Sequence, residues 1–413
     1  MPEFLHLLPP EQALSIWLEA LPWPSSIGAE TCATVDALGR YLAEDVVAND
    51  PLPPFSRSTV DGYAVRAADT YGATPGLPAY LEVVGEVRMG EGTSLHLKTG
   101  QAALIHTGGM IPEHADAVVM LEDTQQARSR QIEVLKAAAS GENILQRGED
   151  VQAGAQVVQA GTRIRAQEIG GLMALGLAEV SVKQKPRVAI ISTGDELVAP
   201  GQPVGPGQVR DVNSYALGAL VDRMGGRISR RRLLGDDRRA LEEELREAHA
   251  ADDIIVVTAG SSVSERDLTA NAIQELGEPG VLVHGVHIKP GKPTILAAAG
   301  IKPVLGLPGN PVSAFVVAGY FLPPLMRRML GVTEQGRTPS IPARLAVNIA
   351  SETGREDFVP VRIRQEADEW VAEPVYGRSN LIFTLVRADG VIRIPPSATG
   401  LEKDARVTVM LLQ

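Results

Sequence analysis

The sequence is poor in the features that would make it a disulfide-bonded, membrane-spanning or nucleic-acid-binding protein. It holds one cysteine, Cys32, which excludes an internal disulfide and any cysteine-cluster metal site. No apolar run reaches 18 residues, so no segment reads as a membrane-spanning helix. The longest candidate, Val312 to Met326, is too short and carries Pro323 and Pro324. Residues 1–20 contain Glu3 and Glu11 but no Lys or Arg, unlike the basic start of a secretory leader. A cytoplasmic enzyme is the expectation. Lys and Arg number 39 against 50 Asp and Glu, and the net charge of −11 argues against a duplex nucleic-acid partner. Aromatics make up only 4%, too few for a platform that stacks single strands. The one basic run, Arg227, Arg230, Arg231 and Arg232, reads as a solvated strand or loop.

Familiar catalytic signatures are missing too. The chain lacks GxGxxG after its first α/β strand and lacks GxxxxGK[ST] anywhere, which disfavours an ordinary dinucleotide site and a Walker-type ATPase. His284 and His287 lie three apart on an expected strand, point to opposite faces, and do not form a joint zinc site. His106 sits in a turn, and no histidine is placed for a Ser-His-Asp arrangement. Cys32 reads as a core or surface thiol and not a nucleophile.

What is present is ample material for several cores: 413 residues, 44% apolar and 22% charged. Leu14, Trp17, Leu18 and Leu21 recur at helical spacing after Pro9 and Pro10. Residues 78–145 alternate short apolar strands with glycine turns and read as a β lobe. Residues 166–177 return to a helical pattern despite Gly170 and Gly171. From Pro186 strands and helices alternate, beginning with RVAIIS (187–192), which implies a mostly parallel, doubly wound sheet. Beyond residue 336 alternation returns, with Val359, Val361 and Ile363 on one face, and predicts a small β-barrel or sandwich.

In an open parallel sheet, ligands bind beyond the carboxyl ends of the strands. The loops expected there are TGDEL (193–197), GDD (235–237), TAGSSVSERD (258–267), KPGKP (289–293) and LPGNPVS (307–313). Gly260 with Ser261, Ser262 and Ser264 offers N–H groups and hydroxyls to an anion. Lys289 and Lys292 can neutralise an oxyanion. Asp195, Glu196, Asp236, Asp237 and Asp267 supply hard oxygen ligands of the kind Mg²⁺ takes beside substrate phosphate. Together these predict metal-assisted chemistry on a phosphoanhydride. Asp236 or Asp237 also reads as a helix N-cap.

Motifs in series resemble one family. PPFSRSTVDGYAV (53–65), IHTGGMIPEHADAVVMLED (105–123), RGEDV (147–151) and STGDEL (192–197) are followed by DVNSYAL (211–217). TAGSSVSERD (258–267), HIKPGKP (287–293) and LPGNPVSAF (307–315) complete the set, in the family's order and across nearly the whole chain. The sequence resembles the molybdopterin molybdenumtransferases, the MoeA family that includes the gephyrin E domain.

The resemblance implies a four-part subunit: a discontinuous first lobe (1–50 and 146–185), an inserted β lobe (51–145), a molybdopterin-nucleotide-binding α/β domain (186–335) and a C-terminal β-barrel (336–413). It implies a homodimer with a site shared across subunits. The implied reaction inserts molybdate into adenylylated molybdopterin, with Mg²⁺ assisting cleavage of the pyrophosphate bond, and releases AMP and molybdenum cofactor. The alternatives are a molybdopterin carrier or scaffold without turnover, and tungstate-specific insertion. A molybdopterin-adenylylating protein and molybdoenzyme acceptors are the implied partners.

Site roles carry over by motif. Asp61 resembles an acid contributed across the dimer interface, Thr107 its neighbouring hydroxyl, and Asp150 an acid of the interlobe cleft. Glu196 and Asp267 resemble acids beside the nucleotide or Mg²⁺, with Thr193 and Gly194 in the same first loop. Either Asp236 or Asp237 matches the acid of the second loop, and Lys289 and Lys292 resemble the oxyanion-holding pair. Pro308, Gly309, Asn310, Pro311 and Ser313 form the nearby loop, with Arg378 and Ser379 of GRSN toward molybdate. The third loop departs from the family's GGVSxGxxD pattern, and Ser262 replaces an expected glycine. If that position needs φ > 0, serine costs about 1 kcal/mol or more and reshapes the anion nest.

Overall fold

Runs of Val, Ile and Ala with no polar alternation can be buried on both faces, and they build the central sheet. A computed structural model of the chain describes residues 7–22, 27–260, 263–332 and 339–412, with the backbone alone described for 263–267. The central sheet contains β1 (Arg187–Thr193), β2 (Arg227–Leu234), β3 (Ile254–Ala259), β4 (Pro279–His284), β5 (Ile295–Ala299) and β6 (Lys302–Pro308), in spatial order β2-β1-β3-β6-β5-β4. β2, β1, β3 and β6 are parallel, and β5 runs antiparallel to both of its neighbours. His284 closes β4 and His287 falls in the bend beyond it, so the two histidines do not share one strand.

Helices cover both faces. They are α1 (Pro10–Glu19), α3 (Asn213–Arg223), α4 (Arg238–Ala251), α5 (Val263–Gln274) and α6 (Pro311–Met329), whereas α2 (Ala166–Ala174) packs in the first lobe. α1, α3 and α6 pack on one side around Leu217, Leu305, Phe321 and Leu325, while α4 and the described part of α5 pack on the other around Leu241, Leu245 and Ile273. α1 bears the helical stripe expected of it but lies against β4 and β5, away from the first lobe in which the sequence boundaries placed it. Trp17 is fully buried, donates its indole N–H to the Ala297 carbonyl at 2.8 Å, and meets Phe321 edge-on at 6.4 Å.

The arginine run forms the edge strand β2, where charge blocks pairing with another chain. Arg230 donates to Glu244 at 2.8 Å and Glu247 at 2.7 Å, and Arg231 lies over the Tyr215 ring at 4.2 Å. These arginines are spent on α4 and α3.

The barrel strands are β7 (Ser340–Leu345), β8 (Glu356–Glu366), β9 (Glu369–Pro374), β10 (Gly390–Ile394) and β11 (Arg406–Leu411). They close in the order β8-β9-β7-β11-β10-β8. Val361 is buried in its core and Val359 and Ile363 pack against that core, so the alternation read in this segment marks the inner face. The two-residue strand Ile288–Lys289 leaves the central sheet and pairs with β8.

The β lobe holds a six-stranded mixed sheet in the order 117–120, 62–65, 101–105, 79–87, 131–134, 124–128. Gly62 is required at its centre, because a Cβ there would lie 2.0 Å from the Val119 carbonyl. The first lobe pairs Ala29–Ala33 with Glu179–Lys183 over Leu42, Ile164, Leu172 and Val182. Cys32 lies on this strand as a free thiol that burial pushes above its usual pKa. Outgoing and returning segments between the two lobes run side by side: Val46–Val47 with Gln156–Val158, Leu52 with Val151, and Arg57–Ser58 with Ile144–Leu145.

Candidate functional site

Parallel strands of equal register end together, so their following loops share one edge. Thr193 pairs with Leu234, Ser192 with Thr258, and Ala259 with Pro308. β4 closes at His284 opposite the start of β5 at Ile295, which brings the KPGKP connection to the same edge. All five chemistry-bearing loops therefore gather at the carboxyl edge of the central sheet, as the strand pattern predicts.

The first two loops are tied by reciprocal bonds. The Asp236 backbone N–H donates to Asp195 Oδ1 at 3.0 Å, and the Asp195 N–H donates to Asp236 Oδ2 at 3.4 Å. Gly235 makes room for this tie, since a Cβ there would lie 2.8 Å from Asp195 Oδ1. Asp237 instead caps α4, accepting from the N–H groups of Arg239 at 2.8 Å and Ala240 at 3.3 Å. The two adjacent acids thus do different work. Asp237→Ala is expected to cost about 1 kcal/mol of stability with ligand affinity little changed. Asp236→Ala should do the reverse, loosening the edge and weakening anion binding there. Urea unfolding and a binding titration on both variants separate the roles.

Thr193 is buried at the end of β1, while Glu196 is exposed beyond it. A Cβ on Gly194 would lie 2.7 Å from Glu196 Oε2, so glycine lets that carboxylate fold back over the loop. In the third loop Gly260 is described. Ser261 and Ser262 lie outside the described residues, as do the side chains of Ser264 and Asp267 at the start of α5. Gly309 allows the third and fifth loops to touch, because a Cβ there would lie 2.7 Å from the Ala259 carbonyl.

The fifth loop, Pro308 to Pro311, is held from two directions. Asn213 donates its amide N–H to the Gly309 carbonyl at 2.7 Å. Asn310 donates to Ser379 Oγ at 3.1 Å, and the Val312 N–H donates to the Ser379 carbonyl at 3.0 Å. The GRSN segment of the C-terminal part therefore docks on the start of α6, with Arg378 exposed beside it and Ser313 buried in the first turn. Asn213 was not singled out from sequence. Its signal was its place in DVNSYAL at the start of α3, where buried Asp211 accepts from Ser214 Oγ at 2.6 Å.

Lys292 is exposed on the KPGKP loop. Lys289 is half exposed and lies 3.5 Å from Asp357, a buried carboxylate that also accepts from Arg355 at 2.9 Å. Sequence reading missed Asp357 because it sits on β8 of the barrel and reaches Lys289 only through tertiary pairing.

A second cluster forms on the β lobe. The HTGG turn closes with the Gly109 N–H donating to the His106 carbonyl at 2.8 Å. It presents Thr107 to Asp61, whose Oδ1 accepts the Thr107 backbone N–H at 2.7 Å and its hydroxyl at 3.1 Å. These bonds, the backbone one foremost, hold the Asp61 carboxyl below the usual carboxylate range. His106 lies 3.9 Å from Asp61 and pairs its other ring nitrogen with Glu86 at 2.9 Å. Asp150 is exposed on the stem between the lobes, its N–H donating to the Leu52 carbonyl at 3.0 Å.

Three family descriptions match the chain in series: the MoeA N-terminal region (domains I and II) over residues 8–176, a probable molybdopterin-binding domain over 189–328, and the MoeA C-terminal region (domain IV) over 342–412. A putative molybdopterin biosynthesis protein of Methanocaldococcus jannaschii is 35% identical over 394 residues, covering 92% of this chain and 91% of that protein. The molybdopterin molybdenumtransferase of Bacillus subtilis is 32% identical over 388 residues, covering 93% and 90%. A crystal structure of the molybdopterin biosynthesis MoeA protein from Pyrococcus horikoshii superposes with a TM-score of 0.83 at 37% identity, over 98% of this chain and 99% of that one.

Proposed function

The chain belongs to the MoeA family, and from that membership we propose that it inserts molybdate into adenylylated molybdopterin, cleaving the pyrophosphate bond and releasing AMP and molybdenum cofactor. The observation that carries this reading is the sheet edge: five loops of glycines, acids, hydroxyls and lysines at one set of strand ends, with Ser379 of the C-terminal part hydrogen-bonded into it. Such an edge suits a long anionic ligand whose nucleotide end lies on the α/β part and whose pterin end lies toward the barrel side.

In this reading Gly260, Ser261, Ser262 and Ser264 hold phosphate oxygens through N–H groups and hydroxyls. Lys292 supplies free positive charge, and Lys289 supplies charge already shared with Asp357. Asn310, Ser379 and Arg378 face the molybdate side. Mg²⁺ fits the first loop, which offers carboxylate oxygens and no imidazole or thiol, and where Gly194 leaves room for Glu196. Glu196 with Asp267 would hold the ion, which when bound neutralises charge on the anhydride oxygens. No covalent nucleophile on the chain is needed; positioning and electrostatics suffice. Asp61 and Thr107 enter from a second copy in a homodimer, with Asp150 at the rim of the cleft. The enzyme would work in the cytoplasm, between a molybdopterin-adenylylating protein and molybdoenzyme acceptors.

The test is AMP release from adenylylated molybdopterin with Mg²⁺, with and without molybdate. Molybdate-dependent release with formation of active cofactor supports the reading. Tight binding without release in folded protein would replace it with the carrier reading. Release driven by tungstate but not molybdate would change the substrate.

A further inference from the structure

Away from the sheet edge, the β lobe gathers a set of metal-ligating side chains that none of the readings above uses. His96, Glu113 and His114 place their ligand atoms within 4.8 Å of one another. His96 Nδ1 lies 2.5 Å from Glu113 Oε2, and His114 Nε2 lies 3.9 Å from Glu113 Oε1. We infer that these three residues form a binding site for a divalent transition-metal ion of the zinc type. The inference is independent of the proposed reaction.

The donor set decides the class of ion. Two imidazoles and one carboxylate match the His₂-carboxylate sites that zinc and its neighbours occupy, whereas Mg²⁺ favours oxygen alone. The backbone holds two of the ligands in place. The Leu97 N–H donates to the Glu113 carbonyl at 3.0 Å, and the Glu113 N–H donates to the Leu95 carbonyl at 3.1 Å. His114 follows in a turn closed by the Ala115 N–H on the Pro112 carbonyl at 3.2 Å.

His114 has φ of 67°, the left-handed region where glycine would sit without strain. A histidine there forgoes the conformation of least cost and sets a third ligand beside the other two. All three side chains are at least 60% exposed, so an ion can enter from water and keep water in its remaining positions. Bonds of 2.0–2.1 Å in tetrahedral array put ligand atoms about 3.3 Å apart, so the His96–Glu113 pair must open by only a fraction of an ångström, about 0.8 Å.

The test uses the full chain stripped with a chelator and titrated with Zn²⁺ against a competing chromophoric chelator. One equivalent is expected to bind at micromolar concentration or tighter, unaffected by millimolar Mg²⁺. The decisive variant is His114→Gly, which removes a ligand while suiting the positive φ. It should weaken Zn²⁺ binding by about 100-fold while the metal-free protein melts no lower than wild type. His96→Gln should weaken binding similarly, and Zn²⁺ should raise the melting temperature of wild type but of neither variant. Equal Zn²⁺ affinity in wild type and His114→Gly would overturn the site, as would the absence of binding to wild type below millimolar Zn²⁺.

Discussion

Replacing Asp61 by asparagine is expected to lower AMP release by about 10²–10³-fold while leaving the fold intact. Asparagine keeps the size of the side chain, and its Oδ1 can still accept the Thr107 N–H, so the HTGG turn survives and only the charge is lost. The two Thr107 bonds act on the carboxylate form, which is why the Asp61 pKa is depressed. The sign follows: Asp61 keeps its charge to a lower pH than an ordinary carboxylate, and that charge is lost as pH falls through the depressed pKa. Thr107→Val removes the hydroxyl bond but keeps the backbone bond, the larger cause, and should shift activity only a few-fold. Steady-state rates of the three proteins across pH check the ordering. Equal rates for Asp61→Asn and wild type would remove this acid from the reaction.

The same variant tests the shared site. Mixing inactive Asp61→Asn and Asp267→Asn homodimers should restore about a quarter of wild-type activity, since half the redistributed dimers are mixed and each has one intact site. No recovery, with subunit exchange shown by separate tags, would sink the arrangement.

The largest stability effect is expected at Trp17. Trp17→Ala removes a fully buried indole from between α1 and the central sheet and should cost about 3–5 kcal/mol. Trp17→Phe retains most of the volume, loses the bond to the Ala297 carbonyl, and should cost about 1–2 kcal/mol. Urea unfolding followed by circular dichroism measures both. A cost below about 1 kcal/mol for the alanine variant would mean that α1 is not seated on the sheet as described.

Trp17 also shows what could and could not be read from sequence. The stripe of Leu14, Trp17 and Leu21 identifies a buried helix face, but amphipathicity says only that a face is covered, not by what. Its neighbour in sequence was the first lobe; its neighbour in space is β5. The sheet edge was legible because each loop follows its own strand, and parallel strands deliver their ends to one side. Asp236 and Asp237 were indistinguishable because both precede α4, and only the backbone at the helix start decides which one caps it. Asp357 and the His96–Glu113 pair were hidden for a further reason: the first contact is made by a strand pairing and the second by an isolated bridge between segments apart in sequence, and single-residue chemistry carries no record of its partner. The Arg227–Arg232 run was readable as a solvated strand, though its anchoring to α4 was not.

The paired stem between the first lobe and the β lobe has a mechanical meaning. The chain leaves and returns through the same narrow ribbon, and at its far end the Thr59 N–H still meets the Asn143 carbonyl at 3.0 Å. The entropy of closing that long excursion is therefore settled locally, where the two passages zip together. Excising the intervening segment and joining the ends with a short glycine bridge leaves no gap for the remaining molecule to span. The lobe that presents Asp61 is, in its connections, a cassette on a two-stranded handle, separable from the central sheet and its loops.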